Sequence, residues 1–277
     1  MPENDHNPEQ LISASGQEAR GSKLPRLLVL AAHTDDETLG ASVALGRSAE
    51  PWVVYLTDSS PKQSNLRSRR LRRVEYAALR EAEAQHALRI AGVPPQRILY
   101  LGATDQEAVL TLDALVSHFL LAVSRIHPEW VVTHPYEGGH PDHDSAAFVA
   151  AMALHVLGRQ QSEVPTLLEM TSYHGKNGRL TSGSFLAGQD QGWPVWLTSE
   201  ELSRKREMLA CYSSQKKVLR DFVLEPERLR RAPQYDFSQP PHPEKLWYEQ
   251  MGWPMTGSHW RQLAQLAMQR FCWPVAS

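Results

Sequence analysis

Four short apolar runs, each followed by a stretch of helical composition, fill residues 26–160, and no other feature restricts the fold so narrowly. The runs are 26–32 (RLLVLAA), 51–58 (PWVVYLTD), 97–105 (RILYLGATD) and 129–135 (EWVVTHP). None alternates apolar with polar residues, so each suits a strand covered on both faces. Between and after them, 40–49, 66–92, 110–128 and 141–160 read as helices. This β-α alternation argues for a mostly parallel sheet with helices on both faces, a Rossmann-like α/β architecture. In the second helix Leu66, Val74, Ala77, Ala78 and Leu88 are expected to face inward. Its dense arginines, interleaved with Glu75, Glu81 and Glu83, read as a solvated face.

After residue 160 the pattern changes. Asn177-Gly178 between two strand-like runs signals a hairpin, an antiparallel addition in the C-terminal half. Thr198 followed three residues on by Glu201 is a capping box that opens a further helix. From about residue 221 the chain is rich in Pro, Trp, Tyr and Arg and shows no clear period. Residues 1–24 are expected to be a flexible arm, and 25–277 a single domain ending in an irregular segment.

A length of 277 residues with a formal net charge of −2 permits a sizeable core and gives no general electrostatic case for nucleic acid. Cys211 and Cys272 are the only cysteines, too few for a disulfide framework, and no CxxC knuckle occurs. The polar N-terminus lacks an apolar leader core, and no stretch reaches the roughly 20 apolar residues of a membrane span. The expectation is a soluble, cytoplasmic protein. The sequence leaves its oligomeric state open.

Chemistry gathers at two strand ends. The first run leads into His33, Thr34, Asp35, Asp36 and Glu37, and the fourth into His134, Glu137, His140, Asp142, His143 and Asp144. In an open parallel sheet, ligands bind outside the carboxyl ends of the strands. The alternation can set the two clusters side by side on that rim. Histidines and carboxylates converging there suit a divalent metal, which offsets the repulsion among the acids. Two histidines and one carboxylate leave a position open for water, as in catalytic zinc sites. Taken singly, each cluster has a plainer reading: acids at a helix N-terminus, or Asp142 or Asp144 as a helix cap.

"AHTDDETLG" (32–40) and "GGHPDHD" (138–144) resemble the two signature motifs of the PIG-L/LmbE-like zinc-dependent de-N-acetylases. "KREMLACYSSQ" (205–215) is similar to a later helix of that family. The resemblance implies one Zn2+ per chain, held by His33, Asp36 and His143, although iron or cobalt also suits such a set. It implies Asp35 as the general base, and His140 as the group that stabilises the oxyanion or protonates the leaving amine. The implied reaction is removal of an acetyl group from the nitrogen of an N-acetylglucosamine-type sugar or its conjugate. Arg67, Asp105 and Glu137 are the candidates for holding the sugar's hydroxyls, with a surface ion pair and a helix cap as the plainer roles of Arg67 and Asp105. Thr34 departs from the family, which usually has Pro there. Glu37 is read equally well as a holder of the loop, and His134 as a neighbour of the ligands. Trp247, Tyr248, Trp253 and Trp260 offer either ordinary packing or a stacking surface, and His242 or His259 could reach the site from the tail. The competing readings are an amidase on a sugar–thiol conjugate, a non-catalytic metal- or sugar-binding protein, and a nucleotide-binding Rossmann protein. The last lacks the Gly-x-Gly-x-x-Gly that its first turn requires.

Overall fold

The computed structural model describes residues 8–9, 24–63 and 71–273, so Arg67 and, apart from 8–9 and 24, the expected N-terminal arm lie outside the described residues, while Leu24 is a core residue. Strands β1 (Leu27–Ala31), β2 (Pro51–Thr57), β3 (Ile98–Ala103), β4 (Trp130–Thr133) and β5 (Thr166–Met170) run parallel. They belong to a seven-stranded sheet in the order β3-β2-β1-β4-β5-β9-β8. Here β8 is Trp193–Val195 and β9 is Glu227–Arg231, and β9 runs antiparallel to both of its neighbours. The α/β architecture read from the sequence is the one found.

Alternate residues of each strand feed opposite faces. Leu28, Leu30, Val54, Leu56 and Val131 enter one core layer, together with α3 (Leu112–Ile126), α4 (Pro141–Gly158) and α8 (Gly257–Arg270). Leu27, Val29, Val53, Tyr55 and Val132 enter the other, with α1 (Asp36–Arg47), α2 (Arg73–Ile90) and α5 (Ser199–Cys211). Both faces are covered, which is why the strand sequences do not alternate. Phe119, Phe148 and Trp260 are fully buried in the first layer, and each such side chain contributes about 2 kcal/mol through the area it removes from water.

The Asn177-Gly178 pair turns β6 (Tyr173–Lys176) into β7 (Arg179–Ser182), with positive φ at both turn residues. Thr198 and Glu201 form the expected capping box of α5. Three expectations need correction. The buried stripe of α2 is Tyr76, Arg80, Glu83, Ala84, Ala87 and Leu88, while Val74 is 62% exposed, because two charged side chains on that face find buried partners. Ala108–Ile126 does have the length and mean hydropathy, 1.6, of a membrane span. Here it packs on α4 with Val116, Phe119 and Val123 buried, as core helices of that composition do. The tail from 221 supplies β9 to the sheet and α8 to the core.

Candidate metal centre

β1 and β4 are neighbours, and the chain winds outward from them in opposite directions, to β2 and β3 on one side and to β5 on the other. The loops that leave their carboxyl ends therefore diverge and open a crevice, the usual ligand site of such sheets. Both sequence clusters sit there.

The first loop is held by its own side chains. The His33 N–H donates to Asp36 Oδ2 at 2.8 Å, and the Asp35 N–H to Glu37 Oε2 at 3.0 Å. Asp35 has φ of 121°, a conformation that L-residues rarely adopt. Glu37, fully buried, also accepts from Thr38 Oγ1 and from the Tyr212 hydroxyl, each at 2.6 Å. It binds the turn and does not line the crevice. At Thr34 the backbone N–H that a proline would lack donates to Ser59 Oγ at 2.9 Å. A hydrogen bond thus replaces the ring's restraint.

The second loop runs against β6. A Cβ on Gly139 would lie 1.9 Å from the Tyr173 carbonyl oxygen, so only glycine fits. Asp144 Oδ1 accepts from the N–H groups of Glu137 and Gly138. The residue that caps α4 is His140 and neither aspartate: its Nδ1 accepts from the Asp142 N–H at 3.1 Å. Trp260 of α8 donates to the Pro141 carbonyl and to Ser145 Oγ, fixing this end of α4 to the C-terminal helix.

Together the loops bring ligand atoms of His33, Asp36 and His143 within 4.8 Å of one another. His143 Nε2 stands 3.3 Å from Asp36 Oδ1, and His33 Nδ1 stands 3.4 Å from Asp36 Oδ2. His143 Nε2 is buried and has no hydrogen-bond partner among the described residues, while Ser172 Oγ meets Nδ1 at 3.0 Å. On the far side of His33, Nε2 lies 3.1 Å from Asp142 Oδ2. Asp142 also accepts from the Gln106 and Ala108 N–H groups, so its carboxylate is tied down and orients the imidazole. His134 stacks on His143 with centroids 4.0 Å apart, and its Nε2 accepts from the Ala32 N–H. A second grouping of His33, Asp105, His140 and Asp142 also clusters, but the bonds already made by Asp142 give it the character of a supporting network.

The electrostatics favour a cation. Burial pushes the His33 ring down, yet Asp105, Asp142 and Asp36 more than reverse this and leave its pKa above 6.5. Burial raises Asp35 to about 7, against the pull of Arg80. Burial pushes His140 well below 6.5, and His33 and His143 add to this, so its ring is neutral with the proton on Nε2.

The crevice is a cavity of about 220 Å3. Asp35, Asp105, His140 and Arg80 lie on its polar side, and Tyr173, Val218, Phe222 and Trp253 on its apolar side. Asp105 Oδ1 is 3.9 Å from His140 Nε2. Glu137, expected near substrate, is instead turned into the protein, where its Oε1 accepts from the Leu186 N–H at 2.7 Å. Trp253 packs edge-on against His140, with centroids 4.7 Å apart. Tyr248 and Trp260 are core residues, and neither His242 nor His259 lines the crevice.

Sequence reasoning missed Arg80. Its Nη2 donates to Asp35 Oδ2 at 2.9 Å and to the Thr34 carbonyl, and it is 3% exposed. Nothing in composition separates it from the arginines around it, because a charged helix residue is normally solvated. Asp142 was visible in the motif, but its bond to His33 was not.

A sequence model of the PIG-L family, described as GlcNAc-PI de-N-acetylase, matches residues 28–154. Among curated proteins none matches the chain. Similar solved structures include the A40926 pseudoaglycone deacetylase Dbv21, at 16% identity over 76% of this chain and 99% of that one, with a TM-score of 0.54. A zinc-inhibited form of the teicoplanin deacetylase Orf2 shows 16% identity, covers 76% and 100%, and has a TM-score of 0.53. The conserved protein TT1542 from Thermus thermophilus shows 23% identity, covers 70% and 81%, and has a TM-score of 0.50. At such identities the likeness is one of fold.

Proposed function

The chain carries a PIG-L-type segment at residues 28–154, and from that premise we propose that it is a metal-dependent hydrolase removing acetyl groups from the nitrogen of an N-acetylglucosamine-type sugar or its conjugate. His33, Asp36 and His143 would hold a single zinc, and the orphaned His143 Nε2 supports that choice. Bound there, the metal would acidify a water and polarise the acetyl carbonyl.

The observation that most supports the reading is Asp35. It is a buried carboxylate beside the three candidate ligands, on the crevice wall, with its pKa raised to about 7. A base poised near the working pH can both take and return a proton. Asp35 would accept the proton of the attacking water. His140, neutral and protonated on Nε2, would donate a hydrogen bond to the developing oxyanion. The amine must leave protonated, and Asp35, then a carboxylic acid, would return the proton. The sequence reading left that last step open between His140 and Asp35. The neutral His140 ring favours Asp35. Asp105, on the crevice wall beside His33 and His140, is the proposed partner for a sugar hydroxyl, and Arg67 keeps that role only as an expectation. Cys211 and Cys272 are free, which suits the cytoplasm as the proposed location. Residues 25–277 are proposed to act as one domain.

Metal-loaded protein should release primary amine from acetylated amino sugars. Asp35→Asn should keep its metal and lose roughly 10²- to 10⁴-fold in turnover. The assignment fails if no acetylated amino sugar is cleaved, or if Asp35→Asn sheds metal as readily as Asp36→Ala.

A further inference from the structure

Tyr76, Arg80 and Glu83 are spaced four and three residues apart, so they share one face of α2. All three are buried, and each holds a different polar partner. Arg80 holds Asp35. Glu83 holds the 3-10 turn Ser213–Gln215 that follows α5. Its carboxylate accepts from Ser213 Oγ at 2.7 Å, from the Ser214 N–H at 2.8 Å and from Ser214 Oγ at 2.6 Å. Just before the turn, the Tyr212 hydroxyl is tied to Glu37. The turn is thus pinned to two elements, and its last residue, Gln215, lines the crevice together with Tyr76.

Gln215 Nε2 donates to the Tyr76 hydroxyl oxygen at 2.6 Å and to Ser214 Oγ at 3.3 Å. The single Ser214 hydroxyl proton goes to Glu83, so toward Gln215 this oxygen can only accept. That contact needs the amide nitrogen and fixes which way the side chain is turned. Two capacities are left over. The Tyr76 hydroxyl, already accepting, keeps its own proton to give, and Gln215 Oε1 has no hydrogen-bond partner among the described residues. A donor and an acceptor therefore stand side by side on the wall that also carries Asp35, Asp105 and His140. An alcohol both donates and accepts, so one hydroxyl matches the pair. A carboxylate would bring only acceptors and oppose Gln215 Oε1, while an ammonium would bring only donors and leave the Tyr76 proton unpaired.

We propose that Tyr76 and Gln215 form a subsite for a ring hydroxyl of the substrate, which accepts from the Tyr76 O–H and donates to Gln215 Oε1. This rests on the reading of the crevice as an amino-sugar site, and it supplies a polar partner where Glu137 is turned inward. The pair is preset by Glu83 and Glu37, so little ordering is needed when the sugar arrives.

Calorimetric titration with N-acetylglucosamine and with its 3-deoxy, 4-deoxy and 6-deoxy analogues tests the subsite. The background is Zn2+-loaded Asp35→Asn, in which turnover is slow. One analogue should bind about three- to tenfold more weakly than N-acetylglucosamine, the effect of one lost hydrogen bond. Adding Tyr76→Phe or Gln215→Met should weaken N-acetylglucosamine by a similar factor and that analogue no further. A merely structural lesion would weaken all four sugars alike. The subsite is overturned if N-acetylglucosamine does not bind, or if every analogue loses the same factor with and without the second substitution. Amine release by the wild type reports separately on the deacetylase reading. Cleavage without this pattern refutes the subsite alone, and the pattern without cleavage refutes the deacetylase alone.

Discussion

Arg80→Met offers the sharpest test of how the proposed base, Asp35, is kept working. In the folded protein one guanidinium nitrogen serves both Asp35 Oδ2 and the Thr34 carbonyl, with Arg80 and Asp35 both buried. Removing one member of a buried pair typically costs about 3–5 kcal/mol, because the partner is left charged in a poor solvent. Here the partner has a cheaper outcome, since Asp35 can take up a proton. A cost of about 3 kcal/mol corresponds to a rise of about two pH units at about 1.36 kcal/mol each. Asp35 already sits at about 7, so in the variant it would be mainly protonated near neutral pH and unable to act as base. Turnover near neutral pH should fall about 100-fold, and part of it should return about two pH units higher. The acidic limb of the kcat profile should move upward, with KM little changed and metal content intact. Arg80→Lys, which keeps a cation but not the forked geometry, should fall between the two. The reasoning is refuted if Arg80→Met keeps the wild-type acidic limb, or if its loss is uniform across pH, since a merely structural lesion would behave in that way.

Two further outcomes are expected. Asp142→Asn keeps the shape but turns one acceptor oxygen into an NH2, so it can keep only one of the bonds from Gln106 and Ala108 and weakens the grip on His33 Nε2; metal affinity should drop about 10- to 100-fold in a chelator competition. Glu137 is raised by burial to about 8, well above an unfolded carboxylate near 4.5, so the fold is favoured while it stays protonated. That contribution is complete below pH 4.5 and is lost as pH climbs to about 8, on the order of 5 kcal/mol for this group alone. Glu137→Gln, followed by thermal unfolding across that pH range, should flatten the decline, and an unchanged slope would show that other groups carry it.

Order and type of the first four strands were legible because each is an apolar run without alternation; β1, β2 and β4 are buried on both faces, while β3, at the edge of the sheet, is only half-buried. β5 was not recognised: TLLEM sits directly before the hairpin, and so short a run with a charge in it does not separate a central strand from a loop. β9, ERLRR, was hidden more deeply. Arg230 is a central-sheet residue only because Glu169 on β5 meets it at 2.7 Å, a pairing between residues 61 positions apart. The clustering was legible wherever it lay in a short motif, as with His33, Asp35, Asp36, His140 and His143, which all line one crevice. Arg80, Trp253 and the bond from Asp142 to His33 were not, because each depends on a contact between elements that lie far apart in the chain. Charge itself misled at Glu137, which is buried by its bond to the Leu186 N–H and stays away from the crevice.

The tail's place in the sheet has a consequence for the chain as it is made. His33 emerges from the ribosome long before Trp253, and at about 5–20 residues per second the gap of about 220 residues lasts roughly ten to forty seconds. Within that interval β5 is complete about 60 residues ahead of β9, so for roughly three to twelve seconds it has no neighbour on its outer side. The growing sheet presents a bare hydrogen-bonding edge, with Leu168 and Met170 beside it. Such an edge invites pairing with other nascent chains. The anchor from Trp260 to Pro141 comes later still, so the second histidine loop stays unbraced until the last helix forms. Yield in a cell should therefore depend on chaperone capacity during synthesis more than on the stability of the finished molecule.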